Sequence, residues 1–196
     1  MHKGRLEAFT DGVMAIIITI MVLELHEPLG AGLRDLLALW PVLISYVLSF
    51  IYVGIYWNNH HHMFQAAEAV DGRVLWANLH LLFWLSLLPF CAGWISQDGL
   101  AQGPVGLFGF DLLMDGLAYR LVQAALIRQQ GREGLLARAI GPDCKGRVSL
   151  WIYAAGVALC AVGWPKPAFA LFWLPALLWA VPDMRIEKLL GEPEAD

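Results

Sequence analysis

The chain has 196 residues, 59% of them hydrophobic and 15% charged, with a formal net charge of −4. A soluble domain of this length is rarely so apolar, so the composition argues against a soluble helical protein and leaves no polar stretch long enough for a separate soluble domain. Cys91, Cys144 and Cys160 have no paired spacing, which indicates neither a disulfide framework nor a zinc site.

Apolar segments of about 17–25 residues can cross a bilayer as helices. The first runs about Leu6–Leu25, and from Val13 onward only Thr19 and Glu24 interrupt it. It is too long for a secretory signal, is flanked by acidic groups and lacks a small-residue cleavage site. Arg5 and Asp11 stand in its first turns. An ionisable group costs about 2.5–3.5 kcal/mol at the centre of a span, and persists where it meets a partner or a water path. Positions 5, 9, 12, 16, 19 and 23 alternate by four and three, the spacing of one narrow helical stripe. That stripe reads Arg5, Phe9, Gly12, Ile16, Thr19, Leu23. Asp11 projects about a hundred degrees away, toward neighbouring helices. By spacing alone, Ile16 and Leu23 pack in a bundle and Thr19 bonds its own backbone.

The second span is about Leu36–Trp57 and ends in His60-His61-His62. Consecutive helical residues point about a hundred degrees apart, so three in a row do not converge on one metal ion. The third is about Val74–Trp94 and the fourth about Val105–Leu126. Asp111 and Asp115, one turn apart in the fourth, are either a proton or cation relay or a pair near water. The connection 127–148 is polar, with a short amphipathic helix expected to end at Gly141-Pro142. The fifth span, about Ser149–Trp164, and the sixth, about Ala168–Pro182, are short. Pro165-Lys166-Pro167 reads as the turn between them, and Pro175 as a kink in the sixth. The two also fit a helical hairpin in a locally thinned bilayer.

With the N-terminus inside, all but Arg34 and Lys166 of the thirteen Lys and Arg fall at or near the inner face. A five-span chain would move Arg185 and Lys188 outside and weaken that asymmetry. The expected fold is therefore an all-α integral membrane protein. It has six transmembrane helices in a single domain, 1–196, with both termini cytoplasmic.

Three separated motifs carry a resemblance. Arg5-x-x-x-Phe9-Thr10-Asp11-Gly12, followed by Ala15-Ile16 and Thr19, is the first. Trp57-x-x-His60-His61 is the second. Trp76-x-Asn78 with Leu87-Leu88-Pro89-Phe90 is the third. Together they resemble the transmembrane protein 175 family of potassium channels, whose hallmark is Arg-x-x-x-Phe-Ser-Asp. Thr10 replaces the usual Ser and keeps the hydroxyl. Beyond the first three helices the resemblance is one of hydropathy and length.

The resemblance implies a six-helix subunit of a homotetramer whose first helices line a central pore. The chain would be a potassium leak channel of the cell membrane, with K+ as the permeant ion. It would be no enzyme and would need no cofactor, metal or nucleic acid. Carried over by position, Ile16 and Leu23 are hydrophobic constrictions and Thr19 a hydroxyl layer for selectivity. The family pattern also joins Arg5, Thr10 and Asp11 to His60 and Asn78 as a network that holds the pore helix. Phe9, Trp57 and His61 complete the motifs. The competing reading is a proton-coupled cation transporter using Asp11, Asp111, Asp115 and the histidines. An intramembrane metal enzyme built on His60 is a third, and lacks a second motif with ligand spacing.

Overall fold

The computed structural model describes residues 3–67, 69–131, 134–141 and 143–180. Arg132, Pro142, Arg185, Lys188 and the last two positions of the expected sixth span lie outside them. Among the described residues the chain is helical throughout, without strands. Helix α1 covers Lys3–Leu23, α2 Leu33–Ala38 and α3 Trp40–Gln65. Then come α4 (Gly72–Leu85), α5 (Leu88–Asp98) and α6 (Gln102–Gln130). Helices α7 (Leu135–Ile140), α8 (Cys144–Ala161), α9 (Pro165–Leu171) and α10 (Trp173–Ala180) complete the order.

Among the described residues, three segments are long and apolar enough to cross a membrane: Lys3–Leu23, Trp40–Gln65 and the α4–α5 unit, Gly72–Asp98. Helix α6 is longer than any of them but carries Asp111, Asp115, Arg120 and Arg128.

Proline explains where these helices break. Pro89 has no N–H for the Leu85 carbonyl, and its ring crowds that oxygen, so α4 gives way to α5 at Ser86-Leu87. Pro175 does the same to the Leu171 carbonyl, and α9 gives way to α10 at Phe172. The kink expected at Pro175 is thus present, displaced toward the helix start. The Pro165-Lys166-Pro167 turn is a correction. The chain turns at Val162–Trp164, with Gly163 at φ 92°. Both prolines sit in the first turn of α9. There a missing N–H costs nothing, because first-turn donors have no intrahelical acceptor. Starts and stops elsewhere follow ordinary capping. The Asp71 carboxylate accepts from the Arg73 and Val74 amides at 2.9 Å and starts α4. Gly141, at φ 55°, ends α7 where the sequence pattern placed the stop.

Helix α6 is the hub of the bundle and packs against α4, α5, α8 and α9. Helix α1 lies on the other side, against α3, α4 and α5. Phe172 locks α6, α8 and α9 together. Its ring fills a slot between Gly109 of α6 and Gly156 of α8, where a Cβ on either glycine would collide with it. Small residues at such crossings let helices approach closely in membranes. The Tyr52 hydroxyl of α3 donates to the Phe172 carbonyl at 2.6 Å, beside the break caused by Pro175.

Candidate functional site

Helix α1 has two unlike faces. Leu6, Thr10, Met14, Ile17 and Met21 are buried against the bundle. Arg5, Phe9, Gly12, Ile16, Thr19 and Leu23 are all exposed on the single chain. Phe9 is 53%, Ile16 57% and Leu23 76% exposed, so among the described residues the stripe is a largely apolar row without a partner. Among the described residues nothing lies within 4 Å of a Cβ placed on Gly12. Thr19 spends its hydroxyl proton on the Ile16 carbonyl, at 2.8 Å. Its oxygen can then only accept or coordinate. Beside the stripe, a groove of about 690 Å³ runs between α1 and α5, lined by Ile16, Ile20, Phe90 and Trp94 among others.

A buried polar chain pins the other face. The Asn78 amide donates to the Thr10 hydroxyl at 2.8 Å, and His60 Nε2 bonds the Asn78 carbonyl oxygen at 2.8 Å. An amide oxygen only accepts, so His60 donates from Nε2. The imidazole stacks on Phe64 with centroids 4.2 Å apart. Thr10, Asn78 and His60 are each at most 2% exposed. One continuous hydrogen-bonded path therefore links α1, α4 and α3.

The other motif residues divide differently from the family pattern. Asp11 is exposed and accepts from Trp57 Nε1 at 2.9 Å, a separate link between α1 and α3. His61 stacks on Trp57 and accepts from the Gln65 amide at 2.9 Å. Arg5 is exposed and takes no part in either link. Lys3 supplies the cationic anchor instead. Its ammonium donates to the carbonyls of Phe64 at 2.9 Å and Ala67 at 2.7 Å, at the end of α3. A cation there complements the negative end of the helix dipole. A lysine just before a span was the available signal, but the sequence does not say which helix end it reaches.

The histidines of α3 point to different partners, and among the described residues no group of three or more His, Cys, Asp or Glu is placed to hold a metal. His80 accepts from Trp84 Nε1 at 3.0 Å within α4. Asp111 and Asp115 lie deep in the bundle, 1% and 0% exposed, so the water-exposed alternative for this pair does not hold.

The sequence profile of the family described as endosomal/lysosomal potassium channel TMEM175 matches residues 5–89. A potassium channel of Chryseobacterium sp. (strain P1-3) is 50% identical over 192 residues, covering 98% of this chain and 100% of that protein. The chain belongs to the TMEM175 family. Similarity therefore runs far past the three motif-bearing helices. A potassium channel of Streptomyces collinus (strain DSM 40733 / Tue 365) is 32% identical over 135 residues, 65% of this chain and 66% of its own. The fold is similar to the crystal structure of a lysosomal potassium-selective channel TMEM175 homologue from Chamaesiphon minutus. The TM-score is 0.77 at 25% identity, over 92% of this chain and 97% of that one. TMEM175 proteins are ion channels, not enzymes.

Proposed function

We propose that the chain is one subunit of a homotetrameric, potassium-selective leak channel in the plasma membrane. The six spans are α1, α3, α4–α5, α6, α8 and α9–α10, forming a single channel domain over 1–196 with both termini cytoplasmic. Helix α8 has 18 residues and rises about 27 Å, enough for a slightly thinned bilayer.

The observation that carries the reading is the exposed stripe of α1. Its opposite face is fully packed, so a helix of this kind needs either lipid or other copies of itself against the stripe. Arg5 at one end and Thr19 between Ile16 and Leu23 toward the other favour a wet, self-facing stripe over a lipid-facing one. Around a fourfold axis, Ile16 and Leu23 form rings narrow enough to expel water, and dewetting closes such a constriction. Thr19 oxygens, their protons already engaged, replace part of the hydration shell of K+. The Thr10–Asn78–His60 path and the Asp11–Trp57 link hold α1 at the angle that keeps these rings in register. The names of the bacterial relatives support potassium as the ion.

Potassium and sodium flux into liposomes, for wild type and Ile16→Asn in parallel, tests this. Potassium-preferring flux that rises roughly tenfold or more in the variant is the expected result. Unchanged selective flux would move the pore off the stripe. Flux that requires a proton gradient and saturates would favour the transporter.

A further inference from the structure

Helix α6 carries two carboxylates into the enclosed centre of the bundle, away from the stripe. Asp111 and Asp115 are one turn apart, with Cβ atoms about 5–6 Å from each other. Cys91 Sγ of α5 approaches Asp111 Oδ2 at 3.9 Å. Among the described residues, Asp111 Oδ1 and both oxygens of the fully buried Asp115 have no hydrogen-bond partner. The titratable groups within electrostatic reach of Asp115 are Asp111 on its own helix, Tyr52 and Tyr56 from α3, Cys91 from α5 and Tyr153 from α8. Of these, the Tyr52 hydroxyl is already committed to the Phe172 carbonyl. Arg120, the next cation along α6, turns to Asp143 at 3.9 Å. Among the described residues no Lys, Arg or His donates to either carboxylate.

Two ionised carboxylates so close, unsolvated and without a counter-charge, repel each other and lose their hydration together. One proton removes both penalties. It neutralises one acid and makes it a donor to the other, as when paired carboxylic groups share a site. A cavity lies beyond the tyrosines: Tyr52, Tyr56 and Tyr153 line a space that neither carboxylate lines itself and that extends to Asn59, Arg120 and Asp143. Its free volume of about 40 Å³ accommodates about two or three waters. The Arg120–Asp143 end faces the cytoplasm in the topology proposed above.

We propose that Asp111 and Asp115 form a proton-binding site, holding one proton between them that exchanges with bulk water through this cavity. The site stands apart from the α1 stripe, so its test is independent of ion flux. Infrared spectra of the reconstituted full-length protein at neutral pH report it directly. Exposed carboxylates are ionised at that pH and silent in the acid carbonyl region. The expected wild-type spectrum shows an acid carbonyl band equivalent to one carboxylic acid per subunit. That band shifts within minutes of transfer to D2O and is lost or displaced in Asp115→Asn and Asp111→Asn. If the Asn variants do not assemble, the wild-type band and its D2O shift decide alone. Absence of the band overturns the proposal, as does a band that ignores D2O for a day. Carboxylate bands that instead move with added NaCl or KCl, with no acid band, would make the pair a metal-cation site and equally overturn it.

Discussion

Thr10 shows how one hydroxyl can matter more than the charge beside it. The family-derived network places Arg5, Thr10 and Asp11 on equal footing, yet only Thr10 enters the buried path to Asn78 and His60. Asp11 is exposed on the single chain, so loss of its bond to Trp57 strands no group buried within the subunit. Thr10→Val keeps the shape but strands the buried Asn78 amide, a cost of about 1–3 kcal/mol. Thr10→Ser retains the acceptor. The expected outcome is a clear loss of thermal stability in detergent for the Val variant, within error of wild type for Ser. An equal loss in both would mean that the threonine methyl group, not the hydroxyl, holds α1. The motif was legible as a string, since residue types at fixed spacing carry it. The division of labour within it was not, because it depends on rotation of α1 relative to α3 and α4. Lys3 illustrates the same limit: its charge was visible, but its carbonyl partners lie more than sixty residues away.

At the scale of elements, hydropathy located the helical segments well and their ends less well. Helix α3 runs past the expected stop at Trp57 to Gln65, so the histidines belong to its last turns. Polar residues do not end a helix when the backbone ladder can continue. The prolines were read for what they prohibit, but Pro165 and Pro167 show that position within the helix decides whether anything is prohibited at all. The glycine slot for Phe172 had no sequence signal, because Gly109, Gly156 and Phe172 meet only when α6, α8 and α9 pack. It makes a sharp prediction. Gly156→Leu pushes a side chain into the Phe172 ring and destabilises by about 1–3 kcal/mol. Phe172→Ala vacates the slot and is itself destabilising, as large-to-small core changes are. The double variant should recover much of the stability lost by Gly156→Leu, giving a coupling energy outside additivity in a thermal-shift cycle. Strict additivity would place the glycine and the ring in independent environments.

For the whole molecule, the arrangement of charge and the incomplete surface of α1 make one demand together. A self-facing stripe places every subunit in the same orientation, so topology read on one chain is the topology of the assembly. In the topology proposed above, the basic residues that flank the spans place the α6–α8 connection on the cytoplasmic side. Cys144 is a native reporter of that face: it is exposed, whereas Cys91 and Cys160 are buried. A membrane-impermeant maleimide should therefore label the protein in inverted vesicles and spare it in intact cells. Cys144→Ser should abolish the labelling in inverted vesicles, and detergent should open Cys144 to the reagent whichever side it faces. Labelling from the outside of intact cells would invert the chain. Arg34 and Lys166 would then be cytoplasmic and nearly all other cations external, against the charge rule. The Arg120–Asp143 mouth of the buried cavity would also open to the outside, so the carboxylate pair would sample external rather than internal pH. The labelling result thus fixes which compartment supplies the proton as well as which way the helices run.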